Sequence, residues 1–361
     1  MVVGTRGAGK TSFLEFLKTA LALPPKKRVK SVIEAEENRN RAQPTGNFIP
    51  HYLESEIDGE RVGLTLWDSE GLEKNVVDLQ LREMSAFIES KFEDTFTEEM
   101  KVVRSPGAQD THIHAVFLVL DPARLDRNIS AAKVLIANGN SKHHPVNRLV
   151  GSLDEDLDVQ VLRTLQGKTT VIPVVSKADT ITSKHMTVLK KTVWDSLKKA
   201  NMDPLEVLGL EDYEYETVPQ RTRIPEESEE DEEDSDAEED EEAEDKVTPA
   251  EGDETPKSRH SQGQSVSSIR RRISDESKQD EAPYIPMSII SPDIYEPEVI
   301  GRQFPWGFAD PYNEEHCDFS RLKDSVFGEW RGDLREASRE QWYEGWRTSR
   351  LKQRDGPVRR H

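Results

Sequence analysis

Eight consecutive residues near the start of the chain, Gly4-Thr5-Arg6-Gly7-Ala8-Gly9-Lys10-Thr11, complete a G-x-x-x-x-G-K-[ST] phosphate loop. Gly4, Gly7 and Gly9 let successive backbone N–H groups, that of Ala8 among them, turn inward around an anion. Lys10 would reach the β- and γ-phosphates, Thr11 would offer its hydroxyl to Mg2+, and Ser12 would sit in the first helical turn facing the phosphates. The run Ser12-Phe13-Leu14-Glu15-Phe16-Leu17 has the apolar spacing of that helix. The strand that should precede the loop is represented only by Met1-Val2-Val3, against a usual length of about five or six residues. The chain is therefore expected to begin inside its first strand, as a fragment or at an internal methionine.

Phosphate loops serve kinases, ATPases and GTPases alike, so the base and the γ-phosphate sensor must be read elsewhere. Arg61-Val62-Gly63-Leu64-Thr65-Leu66-Trp67-Asp68 alternates like a strand, paired with Tyr52 to Ile57 across Asp58-Gly59. It runs into Asp68-Ser69-Glu70-Gly71, a D-x-x-G in which Asp68 would hold Mg2+ through water and the Gly71 N–H would sense the γ-phosphate. Thr169 to Val175 reads as a fully apolar, β-branched strand ending in Ser176-Lys177-Ala178-Asp179. Asp179 can accept both hydrogens of a guanine N1–N2 edge, and the stem of Lys177 can lie over the base. Each motif is common by itself; in this order they predict a guanine-nucleotide-binding α/β domain.

Three further segments narrow the class: Asp110-Thr111-His112-Ile113-His114-Ala115, Ile172 to Thr180, and Gly301-Arg302-Gln303-Phe304-Pro305-Trp306-Gly307. They resemble septins, and the likeness continues through Glu315-His316-Cys317-Asp318-Phe319, Leu322, Asp333-Leu334-Arg335-Glu336 and Tyr343-Glu344, which look like the septin unique element. The resemblance implies an α/β fold, a P-loop GTPase-type three-layer sandwich with a mostly parallel sheet and the unique element on its C-terminal side. It implies GTP or GDP with Mg2+, Arg302 against the guanine, and a loop around Ser291 closing the base pocket, although septins usually carry glycine at Ser291. Thr45, in Gln43-Pro44-Thr45-Gly46, is the candidate switch threonine that would bind Mg2+ and position water; it reads equally well as an exposed loop residue. Septins usually read D-T-P-G where this chain has Ser69 and Glu70, and Leu72 stands where Ras-type enzymes place a water-orienting glutamine. Hydrolysis is expected to be slow or absent. The nearest relatives are expected among divergent fungal septins.

The resemblance also implies partners. Septins pair across the nucleotide face, where His114 and Trp306 are candidate contacts, with packing inside the monomer as the competing reading. A cytoskeletal subunit that joins other septins at the cell cortex or division septum is expected, without the coiled-coil tail of many members, since Trp342, Tyr343 and Trp346 are followed by no sustained heptads. The alternatives are a slow GTPase switch acting on effectors, or motifs left vestigial by a truncated first strand. The basic run Pro24-Pro25-Lys26-Lys27-Arg28-Val29-Lys30 offers peripheral contact with anionic lipid or is a solvated loop; no nucleic-acid partner is expected.

Composition sets the frame. The net charge is −21, but residues 226 to 245 hold 16 Asp or Glu and no Lys or Arg, so without them the charge is −21 + 16 = −5. The acidity therefore belongs to an insert, expected to be disordered, that is rich in Glu, Asp, Ser and Gln. The single cysteine, Cys317, excludes internal disulfides. With neither a membrane-length apolar run nor a signal peptide, a cytosolic protein is expected. The expected organisation is a G domain over 1–210, the insert over 211–283, completion of the domain with the unique element over 284–347, and a basic tail over 348–361. Within the insert, Arg270-Arg271-Arg272-Ile273-Ser274, Ser228 and Ser235 suit kinases or are plain linker. Ala137 to Leu153 reads as a polar surface loop in which His143 and His144 lack a third metal ligand.

Overall fold

The computed structural model describes residues 1–23, 45–101, 111–137, 149–210, 283–293, 295–296 and 299–354. The basic run Pro24–Lys30, His143 and His144, Ser228, Ser235 and Ser274 with nearly all of the 211–283 insert, and the tail from 355 lie outside those residues. Contacts divide the chain into one unit of Met1–Glu216 with Ala282–His361 and a second of Thr217–Glu281. The fold described below belongs to the first.

Six strands form the central sheet: β1 (Val2–Gly4), β2 (Phe48–Ile57), β3 (Glu60–Ser69), β4 (Ala115–Leu120), β5 (Thr170–Val175) and β6 (Met287–Ser288), in the order β2-β3-β1-β4-β5-β6. All pairings are parallel except β2 with β3. That exception is the hairpin expected from alternation: Tyr52 faces Thr65 and Ile57 faces Glu60. Asp58 and Gly59 both take positive φ, 52° and 78°, the backbone a two-residue turn needs to match strand twist. The short β1 is in register between β3 and β4, with Val2 opposite both Asp68 and Phe117.

The middle of the sheet is apolar on both faces. Val116 to Leu120 and Ile172 to Val175 (Pro173 included) are buried, as parallel strands covered by helices require. Helix α1 (Lys10–Leu21) lies on one face and packs through Phe13 on Phe117, ring centroids 5.5 Å apart. Helix α2 (Val77–Glu99) lies on the other: its Phe87 stacks on Phe48 at 4.2 Å and meets Trp67 at 4.8 Å. Side chains alternate along a strand, so Trp67 turned toward α2 sends Asp68 toward α1, and Thr11 of α1 duly donates to its carboxylate. This is the three-layer α/β arrangement.

Further helices are α3 (Pro122–Ala137), α4 (Gln160–Leu165), α5 (Ser183–Lys199) and α6 (Pro204–Leu208). A small hairpin, β7 (Arg302–Phe304) with β8 (Gly307–Ala309), precedes α7 (Phe319–Asp324), α8 (Arg331–Glu336) and α9 (Glu344–Arg354). Two expectations change here. Of the strand expected over Ile285–Ile290 only Met287 and Ser288 pair as β6, though Ile285, Ile289 and Ile290 are buried beside it. The surface loop expected to reach Leu153 ends in core, because Ser152 and Leu153 are fully buried.

One buried carboxylate ties the later elements to the sheet. Asp318 accepts from the Ser288 N–H at 2.6 Å, the Ser288 hydroxyl at 2.7 Å, Arg321 at 2.7 Å and the ammonium of Lys190 on α5. Burial alone would push its carboxyl up; the charges of Lys190 and Arg321 and the hydrogen bonds from Lys190 and Ser288 hold it below the ordinary 3.8. A depressed folded-state value adds stability above the ordinary value that is lost as pH falls through the folded one. Asp318→Ala, which strands Lys190 in the interior, should cost about 3–5 kcal/mol in denaturant unfolding. Asp318→Asn should be less stable at pH 7 and vary less with pH than the parent below about pH 4; parallel acid-side curves for the two would contradict the assignment.

Candidate functional site

The site is assembled at the carboxyl end of the parallel strands, where β1, β3, β4 and β5 each release a loop. After β1 the chain turns through Gly7 and Gly9, at φ 79° and 89°, a conformation that side chains rarely adopt. Gly9 caps α1 without a side-chain hydrogen bond, and the first helical turn carries no acid. The leading amides of α1 thus face outward with the positive end of its dipole, as anion binding needs. Gly4 answers a different demand: a Cβ there would sit 2.5 Å from the Val119 carbonyl oxygen of the neighbouring strand.

Lys10 is 8% exposed and donates to the Thr5 carbonyl oxygen at 3.1 Å, folded back along its own loop. Burial draws its ammonium below the ordinary value, against the opposing pull of the Asp68 and Glu70 carboxylates. Thr11 Oγ1 donates to Asp68 Oδ2 at 3.1 Å. The other oxygen, Asp68 Oδ1, is buried and has no hydrogen-bond partner among the described residues. A hydroxyl and a half-satisfied carboxylate side by side, next to a buried ammonium, fit a magnesium phosphate: hard oxygen donors for the ion, a cation for the anion.

The D-x-x-G segment is stitched to the phosphate loop. Leu72 N–H donates to the Gly4 carbonyl at 3.0 Å, the Arg6 N–H reaches the Leu72 carbonyl at 3.4 Å, and Thr5 bridges Leu72 in parallel. Gly71 lies so close that a Cβ would meet Arg6 Cα at 2.8 Å. Leu72 itself is 3% exposed. From the opposite side Ser176 Oγ, at the end of β5, donates to the Ala8 carbonyl at 2.7 Å and lies 3.0 Å from that of Leu120. The loop is therefore held by both neighbouring motifs.

The residues expected to read a base converge beyond it. Asp179, its side chain 2% exposed, lies 3.4 Å from the Arg302 guanidinium, and Arg302 Nε donates to the Ser291 carbonyl at 3.0 Å. Lys177 adopts φ 54° and sets its ammonium 3.3 Å from Asp121 Oδ1. Gly4, Gly7, Ala8, Gly9, Lys10, Thr11, Ser12, Asp68 and Gly71 thus gather at one edge, with Lys177, Asp179, Ser291 and Arg302 joined to them through β5. Thr45 stands apart: its side chain is exposed and its backbone pairs with Phe48 at the start of β2. His114 is half-buried and borders the fully packed His112, while Trp306 is 83% exposed and stacked on Phe304 at 5.3 Å. Among the described residues no cluster of three or more His, Cys, Asp or Glu could hold a metal ion, and no helix is long and apolar enough to cross a membrane.

Three contributors escaped the motif reading. Asp121 orients Lys177, Gln80 binds the Gly71 carbonyl, and Ser176 fastens the loop as well as filling a motif position. Asp121, a carboxylate between an apolar strand and Pro122, had a visible signal; its partner across 56 residues had none.

Comparison with known proteins gives one answer. The family model described as Septin matches residues 1–133, 148–238 and 266–360. Septin-4 of Homo sapiens is 22% identical over 352 residues, covering 96% of this chain and 55% of the relative, so the chain spans about half of that protein's length. Septin homolog spn3 of Schizosaccharomyces pombe is 23% identical over 365 residues, covering 97% and 72%. Among solved structures, the septin GTPase domain from Chlamydomonas reinhardtii aligns over 96% of each chain at 18% identity with a TM-score of 0.45.

The Gly4 approach is directly testable. Gly4→Ala should lower stability by about 1–3 kcal/mol, the usual consequence of forcing a methyl group into filled space, with no change in secondary structure. Thermal unfolding followed by circular dichroism would show it; an unchanged transition would mean that β1 and β4 are less closely apposed.

Proposed function

The chain belongs to the septin family, and from that premise we propose that it binds GTP or GDP with Mg2+ and uses the bound nucleotide to control pairing with other septin subunits. The observation that carries this reading is the convergence, along one sheet edge, of a phosphate loop, a D-x-x-G segment and a buried Asp179 beside Arg302. Lys10, Thr11 and Asp68 would hold the phosphates and the ion. The ion would neutralise phosphate charge when bound. Asp179 would accept from the guanine edge, Arg302 would flank the base, and Ser291 would close over it.

As an enzyme the protein would at most hydrolyse GTP slowly to GDP and phosphate. The side chain that follows the D-x-x-G glycine is an apolar one packed into the domain, so it cannot orient water. Thr45, exposed at the start of β2, is the remaining candidate for positioning water and completing the Mg2+ sphere. The protein's role would be that of a cytoskeletal subunit at the cortex or septum, a reading that family membership supports in its cytoskeletal part. The hairpin carrying Trp306 and Phe308, 83% and 42% exposed, supplies an apolar surface beside the base-reading residues, suited to a facing subunit. His114 would lie within the same contact.

Nucleotide released from purified protein by denaturation and resolved by chromatography should be GDP or GTP near one per chain; a protein that neither carries nor binds either would refute the reading. Lys10→Ala and Asp179→Ala should each weaken guanine-nucleotide binding by about 100-fold or more, since each leaves a charged or polar ligand group unpaired. Trp306→Ala should shift the protein toward monomer in sedimentation while leaving the nucleotide content unchanged.

A further inference from the structure

Glu70, the third residue of D-x-x-G, has no task in the scheme above, yet it is a carboxylate placed where a triphosphate would end. We propose that Glu70 is a specificity-determining residue that makes the site prefer the guanosine diphosphate over the triphosphate. The inference rests on the guanine-nucleotide reading and sharpens it.

The placement is fixed by backbone. Val2 pairs with Asp68 and Thr5 bridges Leu72, so Ser69, Glu70 and Gly71 run alongside the beginning of the phosphate loop. The Leu72–Gly4 and Arg6–Leu72 hydrogen bonds and the tight Gly71–Arg6 approach prevent the segment from sliding closer. Gln80 of α2 grips it from behind: its amide donates to the Gly71 carbonyl at 3.1 Å and to Glu70 Oε2 at 3.5 Å, and its oxygen accepts from Glu73 N–H at 3.0 Å. Glu70 is exposed and makes no ion pair among the described residues, whereas Glu73 is paired with Arg6 at 3.1 Å. Glu70 thus carries negative charge with no ion-pair partner among the described residues, beside the phosphate loop, and its charge acts on the buried Lys10 together with that of Asp68.

A diphosphate leaves Lys10 shared between the β-phosphate and these carboxylates. A γ-phosphate would bring further negative charge to the Gly71 side of Lys10, beside Glu70. A like charge at a partly exposed site a few ångströms away lowers affinity by roughly fivefold to tenfold.

The test is calorimetric titration of the full 361-residue chain with GDP and with a non-hydrolysable GTP analogue, in Mg2+. The parent should favour GDP by at least about fivefold, and Glu70→Gln, which keeps a partner for Gln80, should raise triphosphate affinity about fivefold to tenfold while GDP affinity stays within about twofold. Asp94→Asn removes an equal charge from α2 at roughly 20 Å from Gln80 along the helix, beyond the screening length, and should leave the ratio unmoved. Equal affinities in the parent, or a ratio indifferent to Glu70→Gln, or one shifted as much by Asp94→Asn, would overturn the inference while leaving the nucleotide reading intact. Failure of both nucleotides to bind would overturn the nucleotide reading, and this inference with it.

Discussion

A backbone loop that offers its N–H groups to a ligand must satisfy its carbonyls elsewhere, and that constraint governs the whole edge of this sheet. Three carbonyls of the phosphate loop point back into the protein: Gly4 receives the Leu72 N–H, Thr5 receives the Lys10 ammonium, and Ala8 receives the Ser176 hydroxyl. Each partner comes from a different place, the D-x-x-G segment, α1 and the end of β5. The same bonds that settle the loop's own polar groups therefore fix the distances between the phosphate loop, the D-x-x-G segment and the end of β5. An unpaired buried carbonyl costs about 1–3 kcal/mol, so the three motifs are coupled through stability as well as through any shared ligand.

Electrostatics at this edge are asymmetric. Lys10 stands buried near Asp68 and Glu70, while Asp179 and Asp121 each have a cationic neighbour in Arg302 and Lys177. The base side is thus internally compensated. Among the described residues, the phosphate side keeps a half-satisfied carboxylate and an ammonium whose one hydrogen bond is to a backbone carbonyl. Buried polar groups left in that state are expensive in a purely structural role, whereas the carboxylates of Asp179 and Asp121 are compensated within the protein itself.

What was legible in the sequence was local. The phosphate loop, the Asp58-Gly59 hairpin and the β5 strand with its following motif depend on residues a few positions apart, where glycine φ angles and strand alternation dictate geometry. The reading failed where partners are distant. Asp318 draws Ser288 and Lys190 together from 30 and 128 residues away, and no period in the chain announces this. Ser152 and Leu153 looked like the end of a polar loop because Asn138-Gly139-Asn140 and His143-His144 precede them, yet long-range packing buries them. The strand expected over Ile285–Ile290 shows a third cause: an apolar run records burial, and only hydrogen bonding decides how much of it joins a sheet.

The interruption of the domain between α6 and β6 also has a physical basis. Both sides belong to one unit, joined through the 65 residues of Thr217–Glu281. For chain segments in general, the entropy cost of closure grows only with the logarithm of length, about 0.6 kcal/mol per doubling. What must hold is the return of the chain, and contacts of three kinds hold it: Met287 and Ser288 join β5, Ile289 N–H donates to the Val175 carbonyl, and the Asp318 network clamps Ser288 to α5 and α7. The Ile289 carbonyl in turn accepts from Ala178 N–H, inside the Ser176-Lys177-Ala178-Asp179 segment. The contacts that return the chain to the sheet after the insert thus run along Val174 to Ala178, directly before Asp179.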